Sequence, residues 1–312
     1  MQYRRLGSSG LQVSAVSLGG WITFGGTIEE GVARAIVRRA VEGGVNFIDL
    51  ADVYALGEAE KVFGRMLADH TRENLILSSK VFFPCSEDPN DRGLTRKHIM
   101  QSVERSLRNL RTEFLDFYFC HREDEATPLE ETIRAMDDLV HQGKVLYWGT
   151  SCWSASTLAA AHSLADRRHL YPPMVEQPEY NLLERGIEKD VLPAASGLGM
   201  GVVVWSPLAG GILTGKYDDG VPAGSRAKTT SWLEGKLTPE TLRRVKKFGR
   251  IAARLDLRPE QLALAWILQR PEITSVITGA SRPEQVSHNL AALDVVLPAD
   301  ARSEIEALFP GP

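Results

Sequence analysis

The chain has 312 residues, 43% of them hydrophobic and 24% charged, with a formal net charge of −4. This is ordinary globular usage with apolar material for a large core, and the slight acidity excludes a general nucleic-acid or membrane surface. Three cysteines, Cys85, Cys120 and Cys152, are too few and odd in number for a disulfide framework and point to a reducing compartment. No apolar run approaches the ~18 residues of a membrane span, and no signal core follows Met1-Gln2-Tyr3-Arg4-Arg5, so a soluble cytoplasmic protein is expected.

Two short strand-like pieces around Gly7-Ser8-Ser9-Gly10 read as a β-hairpin. Strand and helix patterns then alternate. Ala15 to Gly19 reads as a strand, and Ile28 to Glu42 as a helix with an apolar stripe through Val32, Ile36, Val37 and Ala40, stopped by Gly43-Gly44. Strand 46–49, helix 58–68 and strand 75–79 follow. Thr95 reads as the N-cap of a helix to about Leu110, and strand 115–120 precedes a helix opened by Pro128. Strand 145–149, a helix from Ser154 to about Ala165, strand 174–177 and a helix from about Ile187 come next. The strand ending at Trp205 leads into a long irregular segment, 207–237. Helices are expected at 239–255 and 259–269, then strand 275–278, a helix opened by Pro283 and a last helix from Pro298 to Leu308. The basic run from Arg243 to Lys247 reads as a solvated helix face.

Eight strand–helix units without a Pro- or Ser-rich linker predict one domain over 1–312, an α/β fold of the (β/α)8 TIM-barrel class. It carries an N-terminal β-hairpin cap and a long loop after strand seven. A doubly wound dinucleotide fold is disfavoured, because Gly19-Gly20-Trp21-Ile22-Thr23-Phe24 lacks the Gly-x-Gly-x-x-Gly fingerprint. In such a barrel, catalytic groups converge from the carboxyl ends of different strands. Asp49, Lys80 and His121 end three of the apolar runs, and Tyr54 follows the first. Together they suit carbonyl reduction. Tyr54 donates a proton, Lys80 makes the phenol a better acid, Asp49 holds Lys80, and His121 orients the carbonyl oxygen. Asp52, between Asp49 and Tyr54, is expected to be a bystander. No second His or Cys is spaced for a metal site with His121, so no metal is expected.

These segments resemble the aldo-keto reductases. Asp49-Leu50-Ala51-Asp52-Val53-Tyr54, Ser79-Lys80 and Cys120-His121-Arg122-Glu123-Asp124 are similar to the family's tetrad-bearing motifs. Phe24-Gly25-Gly26, 92–99, Tyr147-Trp148-Gly149-Thr150-Ser151, 205–211 and Gly215-Lys216-Tyr217-Asp218 resemble the branch that contains the cytoplasmic β-subunits of voltage-gated potassium channels and their bacterial relatives. The likeness runs from about Tyr3 to Phe309. It implies a bound NADPH and a Tyr-centred oxidoreductase site of the NADP-dependent alcohol-dehydrogenase type.

The resemblance also implies the cofactor contacts. Gly20 and Trp21 follow strand one, with Asp49 nearby. Ser151 and Gln177 match the residues that bond the nicotinamide carboxamide, and Cys152 stands where the channel subunits have a basic residue. Trp205 matches the aromatic on the nicotinamide face. Ser206, Pro207, Leu208, Ala209 and Gly210, with Lys216 and Arg226, resemble the loop over the pyrophosphate. Gly279, Ser281, Arg282, Gln285 and Asn289 resemble the adenosine-phosphate site. Gly224 and His288 depart from the branch, replacing an aromatic and an acid. The phosphate position agrees with the barrel rule that places such groups after strands seven and eight, near a helix N-terminus.

The expected function is NADPH-dependent reduction of aldehydes or ketones to alcohols. The alternative is an NADPH-binding regulatory or redox-sensing subunit of a partner protein. Two features favour the enzyme: the channel subunits have Asn at the position of His121, and the chain is expected to have no extension ahead of its hairpin that could act on a partner. A small-molecule carbonyl is the expected partner, with no nucleic acid and no membrane, and a homo-oligomer is left open. Trp21, Tyr54, Phe82, Phe83, Trp153 and Trp232 are candidate pocket residues.

Overall fold

A computed structural model of the chain describes residues 1–312 apart from Ala223 and Thr230, and apart from the side chains of Arg226, Thr229 and Ser231. Strands β1 (Tyr3–Arg5) and β2 (Gln12–Ser14) form the antiparallel hairpin, with Arg4 opposite Val13. Eight parallel strands follow: β3 (Val16–Gly19), β4 (Phe47–Asp49), β5 (Ile76–Val81), β6 (Leu115–Cys120), β7 (Val145–Thr150), β8 (Val175–Glu176), β9 (Gly201–Val204) and β10 (Ser275–Thr278). They close in the order β10-β3-β4-β5-β6-β7-β8-β9. The fold is therefore the expected TIM barrel with its N-terminal hairpin.

The hairpin plugs the lower end. Leu6 and Val13 pack with Phe47, Ile76, Phe117, Phe119, Val175, Val203 and Ile277 inside the barrel. Gly7 is required there. Its φ is +50°, and a Cβ would lie 2.2 Å from the carbonyl oxygen of Gly199. With the bottom filled, the mouth at the strands' carboxyl ends is where a ligand can enter.

Helices α1 (Glu30–Glu42), α2 (Glu58–Met66), α3 (Arg96–Leu110), α4 (Leu129–His141), α5 (Ala155–Arg168) and α6 (Val191–Gly197) each follow a barrel strand. Helices α7 (Arg226–Thr229), α8 (Pro239–Arg254) and α9 (Pro259–Leu268) lie between β9 and β10, and α10 (Pro283–Leu290) and α11 (Ala299–Leu308) end the chain. Caps set several starts. The Thr95 and Ser154 hydroxyls accept from the backbone N–H groups of His98 and Thr157 at 3.3 and 3.2 Å.

One helix differs from expectation. Instead of a helix from Ile187, a single 3-10 turn (Gly186–Glu188) precedes α6. A helix begun at Ile187 would place Pro193 in its interior, against the carbonyl of residue 189; beginning at Val191 keeps Pro193 in the first turn. The irregular segment after β9 is also less structureless than its composition suggests. It contains a 3-10 stretch (Ala209–Thr214), α7 and a turn at Ser231–Leu233. Among the described residues, no helix is long and apolar enough to cross a membrane.

Candidate active site

Asp49 ends β4, Lys80 is the penultimate residue of β5, His121 follows β6, and Tyr54 stands in the turn after β4. The barrel brings the four together at its mouth. Lys80 Nζ lies 2.9 and 2.7 Å from the two Asp49 oxygens, 2.7 Å from the Leu50 carbonyl oxygen and 3.1 Å from the Tyr54 hydroxyl. An ammonium has three N–H donors and no acceptor. Directed at Asp49, Leu50 and Tyr54, they make the Tyr54 oxygen an acceptor from Lys80. The phenol's own hydrogen is left for the cavity that Tyr54 lines.

The Tyr54 hydroxyl is held well above its ordinary pKa, first by burial and then by Asp49, against an opposing pull from Arg122. Lys80, which could acidify it, is itself ion-paired with Asp49. Burial also pulls Lys80 down, while Asp49 holds it up. His121 is pushed well below the usual imidazole value by burial, with Lys80 and Arg122 adding to it, so the ring is neutral. Its Nδ1 is buried and has no partner among the described residues. No hydrogen bond at Nδ1 from the described residues fixes its tautomer, and the ring can donate a hydrogen bond without carrying charge.

The turn bearing Tyr54 is strained. Ala55 and Leu56 have φ of +48° and +53°. Asp52 sits beneath it, buried rather than solvated. It is 1% exposed, accepts a hydrogen bond from the Ser102 hydroxyl, and lies 3.6 Å from Arg105. Burial pushes its carboxyl up to about 7. Other left-handed non-glycine residues divide into two groups. Arg111, His169 and Asp256 end helices, whereas Ile22, Cys152, Ser206 and Ala209 join Ala55 and Leu56 in the loops at the barrel mouth. Strain of this kind concentrates where a site is pre-shaped.

A cavity of about 810 Å³ opens at this mouth, within the usual range for a small-molecule site. Its wall includes Trp21, Asp49, Tyr54, His121, Ser151, Gln177, Trp205, Ser206, Pro207, Leu208, Gly210 and Lys216. Gly279, Ser281, Arg282, Gln285 and Asn289 continue it. Lys80 is fully buried behind Tyr54. Gly20 and Ala209 are buried and Cys152 is exposed, all outside the wall, and the Arg226 side chain lies outside the described residues. Of the candidate pocket residues, Trp21, Tyr54, Phe83 and Trp232 line the cavity; Phe82 and Trp153 do not.

Hydrogen bonds join the groups. Gln177 Nε2 donates to Asp49 at 2.9 Å, and the Ser151 hydroxyl donates to the Gln177 carbonyl at 2.7 Å. The buried Glu176 carboxyl, pushed up to about 7 by burial, accepts from the Thr150 hydroxyl and the Trp153 N–H, and so steadies the turn through Cys152. Burial raises the Cys120 thiol, which favours the protonated form over a reactive thiolate. Trp232 bridges the mouth, 5.7 Å from the Trp21 ring and 6.3 Å from Trp205. At the opposite end, Gln285 accepts from the Ser281 N–H at 2.7 Å and from its hydroxyl at 3.2 Å. Arg282 is exposed at the N-cap of α10.

The Aldo/keto reductase family model matches residues 15–309. The chain belongs to the aldo/keto reductase family. A protein of Oryza sativa subsp. japonica named as a probable voltage-gated potassium channel subunit beta is 43% identical over 317 residues, covering 99% of this chain and 96% of that protein. An Arabidopsis thaliana protein of the same name is 42% identical over 303 residues, covering 95% and 92%. Within this aldo/keto reductase cavity, sequence reasoning missed Arg258 and Glu260, which enter the wall from the start of α9. Arg122 also lines it, and its place beside His121 was the available signal.

Proposed function

We propose that the chain is an NADPH-dependent reductase of aldehydes or ketones, with Asp49, Tyr54, Lys80 and His121 as its catalytic group. The observation that carries this reading is the 3.1 Å contact from Lys80 to the Tyr54 hydroxyl at the cavity wall, with Asp49 behind it. When bound, NADPH supplies a hydride to the carbonyl carbon. Tyr54 gives its hydroxyl proton to the carbonyl oxygen, so the product is the alcohol. The tyrosinate left behind faces the Lys80 ammonium until water reprotonates it. Neutral His121 donates a hydrogen bond that orients the carbonyl oxygen. The high resting pKa of Tyr54 does not block this step, since a developing alkoxide is a far stronger base than a phenolate.

The residues present fit the cofactor. Gly210 and Gly211 have φ of +66° and +93°, and a Cβ on Gly210 would lie 2.6 Å from Trp232, so only glycine leaves that wall open. Lys216 would face the pyrophosphate, and Arg282 with Ser281, Gln285 and Asn289 the adenosine phosphate. Ser151 and Gln177 would hold the carboxamide beside Trp205. The remaining cofactor contacts, Gly20, Trp21, Asp49, Cys152, Ser206, Pro207, Leu208, Ala209, Arg226 and Gly279, rest on the resemblance. One barrel domain over 1–312 in the cytoplasm completes the reading.

A second reading is a regulatory subunit that binds NADPH for a partner protein. The names of the relatives favour it. NADPH oxidation against aldehydes, ketones and sugars, with alcohol oxidation in reverse, separates the two. Turnover supports the reductase; tight NADPH binding with no turnover of any carbonyl supports the regulatory subunit.

A further inference from the structure

The cavity has cations at two opposite places. Lys216, Arg258 and Arg282 stand on the side of β9 and β10, where the cofactor phosphates are proposed to lie. Arg122 follows β6, which lies four strands from β10 in the eight-stranded ring and so directly across the mouth. A phosphate group held beside α10 is on the wrong side of the barrel to neutralise Arg122.

No side chain neutralises it either. Among the described residues, Arg122 forms no ion pair. The neighbouring acids are committed elsewhere: Glu123 accepts from the Ser154 N–H at 3.1 Å and the Thr157 hydroxyl at 2.5 Å. Asp124 accepts from the Leu94 N–H and the Thr127 hydroxyl, each at 2.7 Å. Glu176 serves Thr150 and Trp153. The guanidinium has five N–H donors. One hydrogen bond, to the His121 carbonyl at 2.5 Å, ties it down, and its carbon lies 5.5 Å from the Phe83 ring centroid. Phe83 in turn meets the His121 ring at 5.1 Å, and His121 meets Tyr54 at 5.9 Å. A half-buried cation with free donors thus stands one aromatic ring from His121 and two from Tyr54, in a cavity wall that also includes Val53, Phe83, Trp21 and Trp232.

We propose that Arg122 is a specificity-determining residue that selects carbonyl substrates carrying a carboxylate on an apolar or aromatic body. Its planar fork matches a carboxylate in bidentate geometry, and the Phe83 ring beside it with the apolar part of the cavity wall suits the body. The proposal deepens the reductase reading and rests on it. A charge-assisted contact of this kind corresponds to roughly 10–100-fold in affinity.

The test uses meta- and para-carboxybenzaldehyde and their methyl esters with the intact protein and NADPH. The acid-to-ester ratio of kcat/KM should exceed one in the native protein for at least one of the two acids. It should fall at least tenfold in Arg122→Gln, chiefly through KM, and recover in part in Arg122→Lys. A ratio unmoved by Arg122→Gln would overturn the proposal and leave Arg122 as a support for His121. If no carbonyl is turned over, the reductase reading fails separately. Calorimetric titration of the same acids into the NADP⁺-loaded protein then decides the anion site alone: binding lost in Arg122→Gln supports it, and equal binding, or none to the native protein, refutes it.

Discussion

Lys80 and Tyr54 stand 3.1 Å apart, and the ammonium donates while the phenol oxygen accepts. The direction matters. Lys80 is already paired with Asp49, which offsets its charge while the phenol keeps its proton. Its charge becomes useful only once the phenol has lost its proton. The pair is arranged for the state after proton transfer rather than before it, which is where catalytic stabilisation counts.

The same pairing makes Lys80 a stability residue. Lys80→Met removes the partner of a carboxylate that is only 3% exposed. Breaking a buried pair from one side costs about 3–5 kcal/mol. Urea unfolding should show a loss of that order, and adding Asn at Asp49 should recover part of it. A loss under about 1 kcal/mol would mean water reaches Asp49.

Asp52 predicts a pH effect. Its carboxyl is raised from an ordinary value of about 3.9 to about 7. Burial is the main cause, Glu60 adds to it, and Ser102 and Arg105 oppose it. The folded state therefore binds the proton more tightly than the unfolded chain. The stability this proton confers is complete below about pH 4 and is lost as pH rises through about 7. Asp52→Asn should match the native protein near pH 5 and melt a few degrees higher near pH 8. A melting difference that is the same at both pH values would contradict the assignment.

Arg282 should set cofactor preference. Among the described residues it has no acidic partner, while nearby Glu260 lies 3.7 Å from Arg258 and 3.9 Å from His288. The 2′-phosphate that distinguishes NADPH from NADH carries roughly −2 charge. Arg282→Ala should weaken NADPH about 10–100-fold and NADH far less, read by fluorescence titration at two salt concentrations. Equal weakening of both cofactors would make Arg282 a general support of its loop.

Much of this was legible in the sequence because strands covered on both faces are continuous apolar runs, so the residue that breaks each run marks a strand end. Asp49, Lys80 and His121 were found that way, and the hairpin and the caps at Thr95 and Ser154 by their turn and capping chemistry. Other features depend on contacts distant in sequence. Asp52 is buried by Ser102 and Arg105, about fifty residues away, and its local sequence reads only as a polar turn. The pKa of Tyr54 depends on which charge wins at one point in space, and the order of residues along the chain does not encode that balance. Arg258 and Glu260 open a helix that is buried along most of its length, with nothing in their spacing to mark a cavity wall.

The central claim is that Tyr54 supplies the proton, and Tyr54→Phe tests it most directly. The substitution keeps the ring against His121 and removes only the hydroxyl. NADPH affinity and carbonyl turnover should be measured on the same preparation, with the carbonyl that the native protein reduces fastest. The account predicts nearly native NADPH binding and a fall in kcat of about 10²–10⁴, the range of general acid catalysis. Near-native turnover in Tyr54→Phe would contradict it.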